Sequence, residues 1–392
     1  MEQVKVYEQD GVQRIAVSGR LDSSNAKEIE EAIFEQVTSD PKVIVDFAEL
    51  VYISSAGLRV MLRLKKKHSK MKIINASSEI YEIFEMTGFS EMIEVERAFR
   101  VVDVEGCQII GEGANAVVYK IDGDTIVKAY RDADALDEIR HERELARTAF
   151  VLGVPTAISY DVVKLRDGRF GAIYELLDCK TFQNLLASGE KSVDEIAEMS
   201  MELLHTVHDS EPSPGALPQR RDIALKRLGD LAGQLPEEQY AKLRRLIEAI
   251  PADPHMLHGD YHVKNIMYQN GEPLLIDMDT ICVGSPIFEF ACMYFSYLSF
   301  AEIEKDNAMQ FFGLPYETLE ELLRKSIACY FADADPARVT GLENKFRLLA
   351  AVRLVTHFNR RRKRDPERAE RFIAHGKTRI AELLPLVDDL SF

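Results

Sequence analysis

The sequence predicts two folded units in tandem. The first is a small α/β domain with helices on one face of a mixed sheet, and the second a larger α+β unit. Three observations predict this. Over residues 1–100, apolar strand-like runs alternate with segments of helical periodicity. From residue 105 to 177 short β-type runs prevail, and beyond Thr181 helical patterns take over. The length, 392 residues, also exceeds what one ordinary core organises.

Composition narrows the function classes. A hydrophobic fraction of 46% with 29% charged residues suits a soluble globular chain. The formal net charge of −16 argues against a nucleic-acid binder, because a negative field repels phosphates. Five cysteines, odd in number and without a CxxC pair, point to thiols in a reducing compartment. Met1 to Lys5 carries no basic-then-apolar leader, and no uncharged apolar run reaches membrane-spanning length, so a cytoplasmic protein without membrane partners is expected.

In the first unit, Val4–Tyr7 and Val12–Val17 flank Asp10-Gly11 and read as a hairpin. Asp22, Ser23 and Ser24 offer capping oxygens to a helix in which Ala26, Ile29, Ala32, Ile33 and Val37 repeat at helical spacing, ended by Asp40-Pro41. Lys42–Phe47 is a buried-type strand. Tyr52–Ser55 runs into a helix that turns Leu58, Met61 and Leu62 inward. Met71–Asn75 is a further strand, followed by a helix from Ser77 to Met86. Lys65, Lys66, Lys67 and Lys70 form a solvated helix end whose cations complement the dipole.

Ser18-Gly19-Arg20-Leu21-Asp22, the strand ending at Asp46, and Ile53-Ser54-Ser55-Ala56-Gly57-Leu58 resemble the STAS domain of anti-sigma factor antagonists across nearly all of residues 1–100. The resemblance implies a docking surface for a protein partner such as an anti-sigma factor. Alignment on Gly57 places that family's phosphorylated serine at Ser55, where backbone N–H groups and the helix dipole favour a phosphate. Ser54 stands where many members carry an acid, and without the resemblance both serines read as plain N-caps.

The second unit, 105–392, follows a connector at Phe99–Glu105 that is short and not Gly/Ser-rich, so the two units are expected to pack together. Ile109–Tyr119 gives strand, glycine loop, strand, with Gly111 and Gly113 able to lie over phosphate oxygens. By itself that GxG is weak. Thr125–Tyr130 then sets Lys128 between apolar strand residues. The densest chemistry lies further on, in His258-Gly259-Asp260-Tyr261-His262-Val263-Lys264-Asn265 and Ile276-Asp277-Met278-Asp279. Asn265–Tyr268 and Pro273–Ile276 flank the turn Gln269–Glu272 as a hairpin that gathers three acceptors: Asp260, Asn265 and Asp277. Phosphoryl transfer needs a carboxylate for the hydroxyl proton and oxygen donors for Mg²⁺.

This H-G-D-x-H-x-x-N … I-D-x-D pattern resembles the catalytic loop of the aminoglycoside phosphotransferase and choline kinase branch of the protein-kinase-like fold. The resemblance implies two lobes, 105–177 and 181–392, and an ATP- and Mg²⁺-dependent transfer. Asp260 would be the base, and Asn265 and Asp277 would hold metal, with Asp279 a second-metal ligand or a hydrogen-bond acceptor. Gly111, Gly113 and Lys128 would meet the triphosphate, Val118 one adenine face, and Glu175 to Leu177 the hinge. A glutamate from the helix at 132–152 should brace Lys128, with Glu142 favoured and Glu144 second. Gly284-Ser285-Pro286-Ile287-Phe288-Glu289 occupies the place of the family's G-D-P-x-x-D, and the exchange of Asp for Glu289 puts the bracing of the catalytic loop in doubt. His258 and His262 read as loop braces, and His208 as a packed core residue.

Helices are expected at 193–208, 221–235, 237–250, 316–332, 341–363 and 366–384, the last three forming the acceptor side. Arg360–Arg364 reads as a solvated helix end, or as a face for an anionic acceptor. The expected activity is therefore ATP-dependent phosphorylation of a small-molecule hydroxyl, regulated through the first unit. The alternatives are a protein serine kinase acting on Ser55 or a partner's serine, and a nucleotide-sensing module without catalysis. No tryptophan is present for a choline-type box, so the acceptor is not identified.

Overall fold

The computed structural model describes residues 3–9, 11–37, 42–113, 115–176, 179–332 and 336–392, with the side chains of 336 and 337 excepted. The first unit is built from β1 (Val4–Gln9), β2 (Val12–Val17), β3 (Gly19–Leu21), α1 (Ala26–Gln36), β4 (Val43–Asp46), β5 (Leu50–Ile53), α2 (Ser55–Lys67), β6 (Lys72–Ala76), α3 (Ser78–Met86) and β7 (Glu94–Arg97). Its main sheet has the order β1-β2-β4-β6-β7, antiparallel only at the β1–β2 hairpin, and β3 pairs with β5 in a separate parallel ribbon. The inward periodicity read from the sequence becomes one core: Ile15, Val45 and Ile73 from the sheet meet Ile29, Ile33, Met61, Leu64 and Phe84 from the helices. Asp40 and Pro41, expected to stop α1, lie outside the described residues.

The second unit opens with strands: β8 (Val101–Val102), β9 (Gln108–Glu112), β10 (Ala116–Lys120) and β11 (Thr125–Tyr130). Helix α4 (Leu136–Val151), β12 (Asp161–Leu165) and β13 (Phe170–Glu175) complete this lobe. The sheet order is β8-β12-β13-β11-β10-β9. The connector does more than join the units: Val101–Val102 adds a parallel edge strand to β12, and Phe99 packs on Phe170 at 5.1 Å. Alternating apolar residues too few to register as a strand gain one by pairing with a strand sixty residues away in sequence.

Then follow β14 (Lys180–Thr181), α5 (Phe182–Ser188), α6 (Val193–His208), α7 (Arg220–Gly229), α8 (Glu237–Glu248), β15 (Met256–Leu257), β16 (Ile266–Gln269), β17 (Glu272–Leu275) and β18 (Cys282–Val283). Helices α9 (Ile287–Tyr294), α10 (Asn307–Phe312), α11 (Tyr316–Tyr330), α12 (Pro336–Arg361) and α13 (Pro366–Leu383) complete the lobe. Helix α7 stops six residues before the expected end at 235, where Gly233 adopts φ +74° in a run of turns. Helix α9 continues into a π turn over Phe295–Ser299. The core of this lobe gathers α5 to α13 around the loop between β15 and β16, with Tyr261, Phe290, Phe346 and Phe372 fully buried. His208 is packed as expected: its Nδ1 lies 2.8 Å from the Tyr330 hydroxyl, and burial pushes its imidazole down to about 3.

Candidate active site

The loop between β15 and β16 carries the chemistry, and its path depends on Gly259. That residue has φ +80°, and a Cβ there would sit 2.4 Å from the Thr280 carbonyl oxygen, so only glycine lets the loop pass. The doubt over Glu289 resolves in its favour. Fully buried on α9, it accepts from the His258 N–H at 2.6 Å and the Gly259 N–H at 3.0 Å. The longer side chain spans the gap an aspartate would fill. His258 is the loop brace expected of it: Nδ1 accepts from the Asp260 N–H at 3.3 Å and Nε2 faces the Ile276 carbonyl at 3.1 Å, which sets the neutral tautomer with a proton on Nε2. His262 places Nε2 3.6 Å from Asp260 Oδ2 and packs edge-on against Phe312. The π turn adds Tyr297, whose hydroxyl accepts from the Val263 N–H at 3.1 Å.

Asp260 itself is approached by two groups that local sequence reasoning missed. Arg353, on α12, donates from Nη2 to Oδ1 at 3.2 Å and from Nη1 to the Gly259 carbonyl at 3.2 Å. Cys292 places Sγ 3.6 Å from the same Oδ1, and burial pushes its thiol up to about 12, so it stays a donor. Burial disfavours the Asp260 anion, but His262 and Arg353 outweigh it and hold the carboxyl well below the usual carboxylate range. Arg353 had one visible signal, a lone charge within Ala350-Ala351-Val352-Arg353-Leu354-Val355; Cys292 had none.

Hairpin β16–β17 delivers the remaining acceptors. Its turn is Asn270-Gly271, with φ +52° and +93°, and Gln269 pairs with Glu272, so the turn is two residues rather than the four expected. Asn265 donates from Nδ2 to the Asp260 carbonyl at 2.9 Å, which leaves its amide oxygen as the acceptor. Asp277 adopts φ +57°, in the left-handed region that Asp and Asn enter more readily than other non-glycine residues. Its Oδ1 lies 2.7 Å from Lys128 Nζ, which also reaches Glu142 Oε1 at 2.8 Å. The structure thus brings Glu142, and not the exposed Glu144, to Lys128; Tyr130 donates to the other Glu142 oxygen. Burial opposes the Lys128 ammonium, and Asp277 and Glu142 overcome that and keep it charged.

Asp279 follows on the 3-10 turn Met278–Thr280. Burial, then the neighbouring carboxylates of Glu142, Asp277 and Asp260, push its carboxyl up to about 7. Among the described residues no group of three or more His, Cys, Asp and Glu forms a metal cage. Asp277, Asp279 and the Asn265 amide are instead an all-oxygen, partial set, the kind that suits Mg²⁺ completed by phosphates and water rather than zinc. The donor chemistry fits that ion.

On the nucleotide side, Gly111 lies opposite Val118 in the β9–β10 pair, Val118 opposite Lys128, and Gly113 N–H donates to the Ala116 carbonyl at 2.9 Å. Glu175 ends β13 opposite Thr125 and accepts from the Tyr160 hydroxyl at 3.2 Å. Leu177 lies outside the described residues. Ser55 is not part of this cleft. It is the exposed first residue of α2, and the cap is its neighbour, Ser54, whose side chain accepts from the Ala56 N–H at 3.2 Å.

A lysine held by a helix glutamate and facing, across two lobes, an aspartate just beyond a hairpin is the arrangement of a kinase-like fold. The family model described as "Phosphotransferase enzyme family" matches residues 106–322, more than half of the chain, and the chain belongs to that family. A STAS domain model matches residues 3–103. Over 91 residues, 22% of this chain and 78% of the relative, it is 32% identical to BtrV of Bordetella bronchiseptica, named as a candidate anti-sigma factor antagonist. Over 87 residues, 21% of this chain and 76% of the relative, it is 30% identical to the anti-sigma-B factor antagonist of Listeria monocytogenes. Among solved structures, a thermostable mutant of aminoglycoside phosphotransferase APH(4)-Ia in ternary complex with AMP-PNP and hygromycin B aligns with TM-score 0.51 at 13% identity, covering 72% of this chain and 94% of that one. The apo form of a thermostable mutant aligns at TM-score 0.50 and 14% identity, covering 77% and 97%. At such identity the likeness concerns the fold. Among the described residues no helix is long and apolar enough to cross a membrane.

Proposed function

We propose that the chain transfers the γ-phosphoryl group of ATP to a hydroxyl of a small molecule, and that its STAS domain couples this reaction to a protein partner. The observation that supports it most is the paired contact of Lys128 with Glu142 at 2.8 Å and Asp277 at 2.7 Å, beside a loop pinned by Glu289. In this reading Gly111, Gly113 and Lys128 hold the triphosphate, while Val118 and Glu175 frame the base. Asn265, Asp277 and Asp279 would hold Mg²⁺, which supplies charge neutralisation on the phosphates when bound. Asp260 takes the acceptor hydroxyl's proton as the new O–P bond forms and the bond to the leaving ADP oxygen breaks. Its low proton affinity keeps it ionised, and Arg353 and His262 fix its orientation. Ser55, at an exposed helix N-terminus, is the site where a phosphate would alter partner docking.

The test is ADP release from MgATP over a panel of hydroxyl compounds. Asp260→Asn should lower kcat by about 10²- to 10⁴-fold with nucleotide affinity kept. An unchanged rate would end this assignment.

A further inference from the structure

Beside Arg353 and Cys292, which both contact Asp260, lies a small cavity of about 40 Å³ walled by Arg220, Arg227, Phe288, Cys292, Arg353 and Thr356. Three guanidinium groups therefore line one small space between α7, α9 and α12. Arg353 is the member already engaged, through Asp260 and the Gly259 carbonyl. Arg220 is 7% exposed and Arg227 half-buried, and neither makes a hydrogen bond or ion pair with any described side chain or carbonyl. Asp260 and Glu289 are already engaged, Asp260 by Arg353 and Glu289 by the backbone of His258 and Gly259. Arg360, next outward, is paired with Asp230 at 3.1 Å. Burial, then the charges of Arg220, Arg353 and Arg360, lower Arg227 to about 10.

Burying guanidinium groups without counter-charges is costly, and a folded chain keeps such an arrangement where an anion completes it. Guanidinium groups match the two oxygens of a carboxylate or phosphate in a way no neutral hydroxyl compound does. We propose that the phosphate acceptor is an anionic hydroxy compound, whose carboxylate or phosphate group is gripped by Arg220 and Arg227 while its hydroxyl meets Asp260. The inference rests on the phosphotransfer reading and names its substrate class. Polycationic acceptors are disfavoured here by like-charge repulsion, whatever the fold's relatives bind.

The experiment uses the full chain and calorimetry. ADP with Mg²⁺ is titrated first; failure to bind removes the phosphotransfer reading and this inference with it. At saturating ADP and Mg²⁺, malate (carboxylate arm), glycerol 3-phosphate (phosphate arm), glycerol (neutral) and kanamycin (cationic) follow. One anionic arm should bind at least about tenfold tighter than glycerol and kanamycin, and which one tells carboxylate from phosphate. Arg227→Gln and Arg220→Gln should each weaken that binding about tenfold or more, while the melting temperature stays or rises because an uncompensated charge is gone. Arg227→Lys should restore part of it. If ADP binds but neither anion outbinds glycerol, or the Gln variants bind anions as the parent does, the proposal is overturned and the phosphotransfer reading stands.

Discussion

Gly259 and His258 illustrate how single side chains set the catalytic loop. A Cβ at 259 would lie 2.4 Å from a backbone oxygen at φ +80°, so Gly259→Ala should cost about 1–3 kcal/mol through overpacking and a further 1–2 kcal/mol or so through the left-handed backbone. Urea unfolding should show this, with a loss of turnover larger than the stability loss accounts for, because Asp260 follows it. One buried and one half-buried histidine add a pH dependence. His208 and His357 are both pushed down to about 3, chiefly by burial. A lowered folded value means that the unfolded chain takes up protons the folded one refuses. Stability is thus present above the ordinary histidine range, near pH 6.5, and falls as pH drops toward 3, by about 1.4 kcal/mol per pH unit for each group. Urea midpoints between pH 7 and 4.5 should show the slope, and His208→Gln should reduce it; an unchanged slope would exclude His208 as its source.

The β16–β17 hairpin and the Lys128 strand could be read from sequence because their signals are local: Asn-Gly between apolar runs, and a lysine between strand residues. Helix α4 was legible too, but the choice between Glu142 and Glu144 needed the face it turns inward, which packing decides. The contacts of Arg353 and Cys292 with Asp260 span 93 and 32 residues and left no periodic trace. The start of α2 is a second legible case. Gly57 in Ser-Ser-Ala-Gly-Leu reads as part of a family motif, and the structure gives the reason: a Cβ there would lie 2.7 Å from Leu21 Cγ and from Ile53 Cγ1. Gly57→Ala should therefore push α2 off the β3–β5 ribbon and destabilise the STAS domain by about 1–3 kcal/mol. Chemical denaturation of the full chain should report this as an early transition.

The two domains share more than a tether. Arg97, with a side chain 9% exposed, joins Ser78 of α3 at 3.1 Å to Asp161 of β12 at 3.0 Å, and the Arg140 guanidinium of α4 lies 5.5 Å from the centre of the Tyr81 ring. Arg140 and Glu142 project from opposite sides of α4, so the helix that braces Lys128 rests its outer side on the STAS domain. Whatever moves α3 therefore bears on the brace. The double variant Arg97→Ala, Arg140→Ala should change kcat/KM for ATP by about fivefold or more while each domain stays folded by circular dichroism. Unaltered kinetics would show that the contact only holds the domains side by side.

The ammonium at position 128 touches one carboxylate from its own lobe and one from the opposite lobe. This single cation bridges the two lobes. On the proposed function a triphosphate would compete with Asp277 for it, and the aspartate so released would be the one left for a divalent ion. Loading would then be an exchange of partners in which admitting one ligand frees the seat for the next, and the order of arrival is written into one side chain.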